Sequence, residues 1–484
     1  MQRLPSILSC ALALVASTAL AGPGDVVFQQ SPHGHPTTGV NRVATAPVGH
    51  CLQCHPTRAL PVSIPNILFT ANDNPLCFTC HGAAGQAAYL GPAAYNATAH
   101  WTSMKMLWPG PVPAARPVAD QGKCLNCHTP HGRRDGQGLV PDLGYVREEA
   151  LCLACHDSNG PASSNLVAEL GKARSHPVTT IVGKHLSTEP TTGATFGGAN
   201  RHAECVDCHN PHAASDTAKL AGVARVAVTN GAAGTTPAFT LKGPTDASAV
   251  KEEELCFKCH SAWTTLPAGK TDKAVELNPA NESFHPVEAA GKNATAAMTA
   301  SLLGGTGNPK LTPTSLITCS DCHNSEAIPL TISKVSSYTG LVPSGPHGSN
   351  ASAASATLST ALLRAPYRVT PKNGGSYVAS ESTLCFICHA AAPFADNSKN
   401  NRADTNFKLH GYHLGKGLIC AECHSNSHGN RLAGYSTNRT YSRLVSYSSN
   451  VLGTGGAGSQ PTWTLGSKSC SAVCHGKNHN PETY

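Results

Sequence analysis

The chain contains few of the residues that normally build the core of a large protein. Aromatic residues make up 5% of its 484 positions and charged residues 13%, and it has only four methionines. Glycine and proline are plentiful instead, at 45 and 35 residues, and both interrupt regular helices and strands. We therefore predict a mostly irregular coil with short α-helices and little β structure, whose interior is not filled mainly by apolar side chains.

Long apolar runs are absent after the start of the chain. Residues 1–21 combine the basic Arg3 with an apolar stretch and the small-residue sequence Ala19-Leu20-Ala21, a pattern typical of a secretory signal peptide. No later stretch reaches the roughly 20 apolar residues that a membrane-spanning helix needs. We expect a secreted protein without a transmembrane helix.

Cysteine is scarce outside one repeated motif. Of the 21 cysteines, only Cys10 lies outside ten copies of C-x-x-C-H, and it falls in the predicted signal peptide. The tenth copy has one extra residue between its cysteines. Numbered 1 to 10 along the chain, the motifs contain the pairs Cys51 and Cys54, Cys77 and Cys80, Cys124 and Cys127, Cys152 and Cys155, Cys205 and Cys208, Cys256 and Cys259, Cys319 and Cys322, Cys385 and Cys388, Cys420 and Cys423, and Cys470 and Cys474. The histidines that follow are His55, His81, His128, His156, His209, His260, His323, His389, His424 and His475.

This motif suits the covalent attachment of haem c. Its two cysteines form thioethers to the vinyl groups of one haem, and the adjacent histidine reaches the iron. A zinc site would draw four ligands from two half-sites at varied spacing, whereas the histidine here follows the second cysteine in all ten copies. A disulfide framework would have almost no other thiols to use. We therefore predict ten covalently attached haems that form the core of a multihaem cytochrome c fold, with a short α-helix at each attachment motif.

The motifs are arranged in five pairs. The residue before the second cysteine is Gln, Asn, Asp or Glu in motifs 1, 3, 5, 7 and 9, whereas motifs 2, 4, 6 and 8 begin Leu-Cys-Phe or Leu-Cys-Leu. This alternation indicates an internal repeat of two haems with insertions of variable length. After the signal peptide at 1–21, the predicted haem-pair segments are 22–99, 100–175, 176–284, 285–409 and 410–484.

The supply of histidine favours a second imidazole on every iron. Of the 25 histidines, ten belong to the motifs, and methionine offers little competition. The predicted distal ligands are His35, His50, His100, His131, His176, His212, His285, His347, His413 and His428. His33, His185, His202, His410 and His479 are the spares, and His410 and His413 are nearly equivalent candidates.

Two of these histidines lie three residues after a motif histidine, in C-H-x-P-H segments that end at His131 and His212. A tether this short does not let the second histidine reach the far side of its own haem. We expect it to serve the neighbouring haem of the pair.

In its paired motifs, C-H-x-P-H segments and upstream histidines, the chain resembles multihaem cytochromes with doubled C-x-x-C-H motifs. This group is common in bacteria that respire metals or other external acceptors. It includes periplasmic carriers, outer-membrane conduits, cell-surface reductases and cytochromes that polymerise into filaments. The resemblance implies electron transfer with other c-type cytochromes and with external acceptors such as metal oxides. The extra residue in motif 10 departs from the family pattern.

Bis-histidine iron has no vacant position for a substrate, so we predict an electron carrier rather than an enzyme. The alternative is a multihaem reductase with one five-coordinate haem, and motif 10 is then the first candidate. No C-x-x-C-K motif, which often marks such a haem, occurs in the chain.

Charge and linker composition bear on partners and location. The formal net charge of +7 does not predict nucleic-acid binding, because haem propionates would neutralise much of the Lys and Arg. Inter-motif stretches such as 213–250 are poor in charge and rich in small polar residues, which favours a cell-surface or extracellular protein over a periplasmic one. A homopolymer, in which His33 or His35 ligates a haem of the next subunit, is a further hypothesis.

Overall fold

The structure is a computed structural model. It describes residues 28–55, 68–70, 74–82, 95–102, 122–135, 138–143, 148–158, 160, 162, 164–179, 203–304, 310–330, 342–372, 374–395, 407–429, 442–449, 451 and 461–483. The predicted signal peptide and the spare histidines His185 and His202 lie outside the described residues.

Regular structure occurs in short pieces separated by coil. The α-helices of the described residues are α1 Asn74–His81, α2 Ala99–Thr102, α3 Glu148–Leu153, α4 Leu166–Leu170, α5 Cys205–Cys208, α6 Glu252–His260, α7 Lys273–Leu277, α8 Ala296–Ser301, α9 Thr383–Phe386, α10 Ala392–Ala395, α11 His410–Gly415 and α12 Cys420–Cys423. The 3-10 turns are Cys51–Gln53, Cys124–Asn126, Cys319–Asp321, Ala379–Ser382 and Ser442–Leu444. The strands are β1 His128–Asp135, β2 Gly138–Leu143, β3 Arg174–Ser175, β4 Arg225–Thr229, β5 Ala238–Lys242, β6 Gly348–Ser349, β7 Thr462–Thr464, β8 Ser469–Cys474 and β9 Lys477–Thr483.

The strands pair only locally. In the described part of the chain they form the antiparallel pairs β1-β2, β3-β6 and β4-β5 and the three-stranded sheet β7-β8-β9. The prediction of a mostly irregular chain, low in helix and strand, is confirmed. None of the helices in the described residues is long and apolar enough to cross a membrane.

Most attachment motifs begin on one turn of helix, as predicted. A helical turn places residues three apart on the same face, so both cysteines of a motif can reach one porphyrin. In motif 1 the turn is closed by a hydrogen bond of 2.9 Å from the His55 backbone N–H to the Cys51 carbonyl, and motif 7 repeats it between His323 and Cys319 at 2.8 Å. Motif 10 is different, because Cys470 and Cys474 lie on β8. A helix at every motif was therefore a wrong expectation for this one, whose extra residue breaks the three-residue spacing.

The polar residue before the second cysteine has a structural role in several odd-numbered motifs. It reaches back to the backbone N–H at the start of its own helical turn, which satisfies a donor that the helix leaves unpaired. Asp207 accepts from the Glu204 N–H at 2.8 Å, and Glu422 accepts from the Ile419 N–H at 2.9 Å. The acidic residue at this position in motifs 5 and 9 thus holds the start of its own helical turn.

The chain divides into two compact units. The first comprises Met1–Cys155, Asn159–Ala162 and Pro211–Lys219, and the second comprises His156–Ser158, Ser163–Asn210 and Leu220–Tyr484. This division is coarser than the five haem-pair segments, which remain a prediction.

Buried apolar side chains of the second unit form small clusters next to motif cysteines. Three of these clusters are Phe257, Ala274, Leu277 and Val287, then Leu363, Tyr367, Ile419 and Ala421, and then Tyr447, Val451, Trp463 and Ala472. The first packs against Cys319, the second against Cys385, and the third against Cys423, Cys470 and Cys474. Hydrophobic packing is therefore concentrated around the attachment points.

A buried ion network supports motif 6. Arg225 is 1% exposed, and its Nε lies 2.8 Å from Glu254, which immediately precedes the Leu-Cys of the motif. A second nitrogen of Arg225 contacts Asp246 at 2.8 Å. Removing one partner of a buried pair leaves the other charge uncompensated.

We expect Arg225→Met to lower the free energy of unfolding by about 3–5 kcal/mol. The measurement is urea unfolding of the haem-loaded protein at neutral pH. Arg368→Met is the matched control, because Arg368 pairs at 2.7 Å with the partly exposed Glu381, and a pair of that kind contributes about 1 kcal/mol or less. Equal losses in the two variants would contradict the expectation.

Candidate haem-binding site

All twenty motif cysteines are described, and none of them is in a disulfide. Within a pair, the second cysteines of the two motifs are neighbours. Burial raises the pKa of the Cys54 thiol, and the nearby Cys80 contributes to the rise. The same combination of burial and a neighbouring second cysteine raises the pKa of Cys127 beside Cys155, Cys208 beside Cys259, Cys322 beside Cys388 and Cys423 beside Cys474.

Between consecutive pairs, the first cysteines of the two adjoining motifs are the neighbours. The Cys77 and Cys124 thiols, from motifs 2 and 3, are hydrogen-bonded, and this bond together with burial raises the pKa of Cys124. In the second unit, hydrogen bonds join Cys256 to Cys319 and Cys385 to Cys420. The attachment points therefore follow one another in chain order, from motif 1 to motif 4 in the first unit and from motif 5 to motif 10 in the second.

Motif histidines face other histidines at a constant distance in the first unit. The ring centres of His55 and His131 are 6.0 Å apart, and those of His33 and His81 are 5.9 Å apart. His128 faces His212 at 5.8 Å. A metal–nitrogen bond of about 2 Å on each side, plus the radius of each imidazole ring, puts the ring centres of a bis-imidazole metal about 6 Å apart.

The second unit repeats this arrangement. The ring centres are 6.3 Å apart for His176 and His260, 6.1 Å for His209 and His347, and 6.0 Å for His323 and His428. Burial, together with the nearby His285 and His424, lowers the pKa of His389 to about 4. Burial likewise lowers the pKa of His212 and of His323 to about 4. The imidazoles of His212, His323 and His389 are therefore neutral at pH 7, which is the form that binds iron.

The internal histidines, which lie between the two motifs of a pair in the sequence, face the preceding pair of motifs. His131, which follows motif 3, lies against the histidine of motif 1, and His212, which follows motif 5, lies against that of motif 3. This geometry differs from the expectation that such a histidine serves the other haem of its own pair. The physical reason is visible in β1, where the extended backbone moves His131 about 10 Å along the chain from His128 and towards the earlier motif.

The upstream histidines, which precede the first motif of a pair, each make the same kind of hydrogen bond, and this bond sets their tautomer. Nδ1 of His33 lies 3.3 Å from the carbonyl oxygen of the residue before His131. Nδ1 of His100 lies 3.2 Å from the carbonyl oxygen of the residue before His212, and Nδ1 of His176 lies 2.5 Å from that of the residue before His347. Nδ1 of His285 contacts the carbonyl oxygen of the residue before His428. A carbonyl oxygen only accepts, so Nδ1 carries the proton and Nε2 keeps the lone pair that a metal requires.

His35 and His50 have the opposite tautomer. Nδ1 of His35 accepts from the backbone N–H groups of Thr37 and Thr38 at 3.3 and 3.2 Å, and Nδ1 of His50 accepts from Leu52 at 3.2 Å. The proton is then on Nε2, which does not suit ligation through that atom. His33, a spare in the predicted ligand set, faces the histidine of motif 2 instead. No sequence signal could have selected it, because the partner of its Nδ1 is 97 residues away.

The fifth pair has no following repeat and is built differently. His410 and His413 both lie on α11 and direct Nδ1 to backbone carbonyl oxygens at 2.9 Å. Burial, with a contribution from the nearby His424 of motif 9, lowers the pKa of His410 to about 3. The His413 ring is 6.2 Å from that of His479, the last spare histidine.

Motif 10 itself is unlike the others. His475 has a left-handed backbone with φ of 48°, and its Nε2 lies 2.6 Å from the buried Glu422. At motifs 1, 2, 3, 5, 6 and 7 the motif histidine ring faces another imidazole, whereas here a ring nitrogen contacts a carboxylate. The extra residue seen in the sequence thus coincides with a different local geometry.

The residues present fit haem c. At motifs 1, 2, 3, 5, 6 and 7, paired cysteines, an adjacent histidine and an opposing imidazole about 6 Å away would supply both thioethers and both axial ligands. A family model described as "Doubled CXXCH motif" matches residues 116–161, which contain motifs 3 and 4. Comparisons with curated proteins and with solved structures give no match. The match supports a multihaem c-type cytochrome-like chain that functions in electron transfer, and the motifs indicate covalently bound haem c.

Proposed function

We propose that the protein is a secreted decahaem c-type cytochrome that carries electrons to external acceptors in extracellular or outer-membrane electron transfer. Haem c supplies one redox centre at each motif when it is bound. The observation that carries the proposal is the repeated facing of two imidazoles about 6 Å apart, in both units, each time beside a pair of motif cysteines.

The proposal revises the distal ligands expected from sequence. His35 and His50 are replaced by His33 and His410, because these two direct Nδ1 at a carbonyl oxygen. The proposed set of distal ligands is His33, His100, His131, His176, His212, His285, His347, His410, His413 and His428.

The two axial imidazoles of each haem determine the route by which electrons enter and leave it. Two imidazoles on opposite sides of an iron leave no open position, so the chain excludes substrate from the metal and electrons pass through the porphyrin edges. Imidazole in place of thioether also lowers the potential. The cysteine contacts between consecutive motifs bring neighbouring attachment points together in chain order, which suits a conductor with a capacity of several electrons.

A reductase is the second candidate function, and a specific observation favours motif 10 as its site. The Nε2 of His475 contacts Glu422 rather than an opposing imidazole. An iron held there with one open axial position could bind a small ligand, with Glu422 as a nearby proton donor or acceptor. Cyanide or nitrite binding to the resting ferric protein would favour this function.

The location and partners rest on composition and on the family resemblance. The sparsely charged stretch 213–250 suits an exposed extracellular surface. Other c-type cytochromes are the proposed donors, metal oxides are proposed acceptors, and a homopolymer is the more specific hypothesis. A periplasmic carrier is the alternative, and haem staining of secreted, membrane and periplasmic fractions separates the two.

The experiment that tests the proposal combines mass spectrometry with electron paramagnetic resonance (EPR) of the ferric protein. Ten haems per chain, all low-spin, are the expected result. Fewer than ten haems would contradict the decahaem assignment. One high-spin haem that binds cyanide would replace the pure carrier with the reductase.

A further inference from the structure

One distal histidine has a hydrogen-bond partner of a different kind. His428 faces His323 of motif 7 with the two ring planes only 5° apart. Its Nδ1 lies 3.2 Å from Oε2 of Glu276, whose side chain is 1% exposed. The upstream histidines described above direct Nδ1 at neutral carbonyl oxygens instead.

The surroundings of Glu276 keep it charged and fixed. Nζ of Lys273 lies 2.7 Å from Oε2, and the Thr271 hydroxyl donates to Oε1 at 2.6 Å. Lys273 and Glu276 both lie on α7, so the carboxylate is carried by a short helix that packs in the first apolar cluster. Its position is therefore defined by a cation, a hydroxyl and the imidazole together.

The backbone beside His428 fits closely against this helix. A Cβ atom at Gly429 would lie 2.0 Å from the Glu276 carbonyl oxygen, so only glycine permits the approach. The N–H of His428 is held by the Asn426 side chain at 3.0 Å. These contacts aim the His428 ring at His323 and at the carboxylate at the same time.

We propose that Glu276 is a positioning residue that makes motif 7 the site of a low-potential step within the haem chain. A carboxylate that accepts the Nδ1 proton increases the basicity of an imidazole ligand, and a more basic ligand stabilises ferric over ferrous iron. A carbonyl oxygen does this less strongly because it carries no full charge. The inference rests on the proposed function, since it requires His428 to be an axial ligand.

The test is a spectroelectrochemical titration of the haem-loaded Glu276→Gln protein. Glutamine keeps the size of the side chain and removes its charge. We expect about one-tenth of the titration amplitude to move to a more positive potential, with ten low-spin haems retained. Glu381→Gln is the matched control, because Glu381 pairs with Arg368 and Lys372 and not with a histidine.

A second variant changes the same contact with the opposite sign. Lys273→Met removes the cation that shares Oε2, so the carboxylate should attract the Nδ1 proton more strongly and the same component should become more negative. Shifts of the same sign in the two variants, or an unchanged titration with ten low-spin haems, would overturn the inference alone. If His428→Ala leaves every haem low-spin, His428 is not a ligand and the proposed ligand set fails with it.

Discussion

The EPR spectrum of His33→Ala is expected to contain one high-spin ferric haem, while the other nine stay low-spin. His33 faces the motif 2 histidine at 5.9 Å, and its Nδ1 is directed at the Pro130 carbonyl oxygen, which leaves Nε2 for iron. Without that imidazole the iron at motif 2 has one strong axial ligand, and a weak-field water or an open position replaces the other. The signal should correspond to about one-tenth of the total haem and should bind cyanide.

The matched control is His35→Ala, two residues away in the same loop. His35 accepts two backbone hydrogen bonds at Nδ1, so its loss should leave all ten haems low-spin. The reverse outcome, with a high-spin haem only in His35→Ala, would show that the sequence-based choice of His35 was right and that the tautomer argument is wrong.

The second prediction concerns His347, which lies in the fourth predicted segment and faces His209 of motif 5 in the third. We expect His347→Ala to produce one high-spin haem at motif 5. Neither haem of the fourth pair should change, because the ligand crosses from one repeat to the previous one. EPR shows that one haem is affected but does not show which one. The His347→Ala substitution is therefore also made in two variants that each lack the cysteines of one motif.

The first background is Cys205→Ser with Cys208→Ser, which removes the motif 5 attachment. Adding His347→Ala there should produce no new high-spin signal, because the affected haem is already missing. The second background is Cys385→Ser with Cys388→Ser at motif 8, where His347→Ala should still produce the signal. If the signal instead disappears in the motif 8 background, His347 serves a haem of its own pair and does not cross to the previous repeat.

The chemistry of attachment could be predicted from sequence because it is local. Two thiols three residues apart and a histidine next to them lie within one helical turn, so their relation is set by backbone geometry. The same is true of the short helices, which Asp207 and Glu422 cap from inside their own motifs. The predicted low content of helix and strand is confirmed for the same reason, since glycine and proline act on their immediate neighbours.

The facing of two imidazoles is not local, and the sequence named candidate histidines without showing which motif each of them faces. His33 and His35 differ by two positions, and both are followed by Gly or Pro. What separates them is the Pro130 carbonyl oxygen, which decides where the proton lies on His33. A partner almost a hundred residues away leaves no mark on the sequence around the ligand.

The sequence by itself determined that this is a chain of paired C-x-x-C-H motifs with few other means of forming a core. Only the tertiary structure decided which imidazole faces which motif, and that the internal histidines of pairs two to five each face the pair before them. The physical reason is that thioether attachment depends on covalent neighbours, whereas an axial ligand depends on a tautomer and on an approach of about 6 Å between segments far apart in the chain.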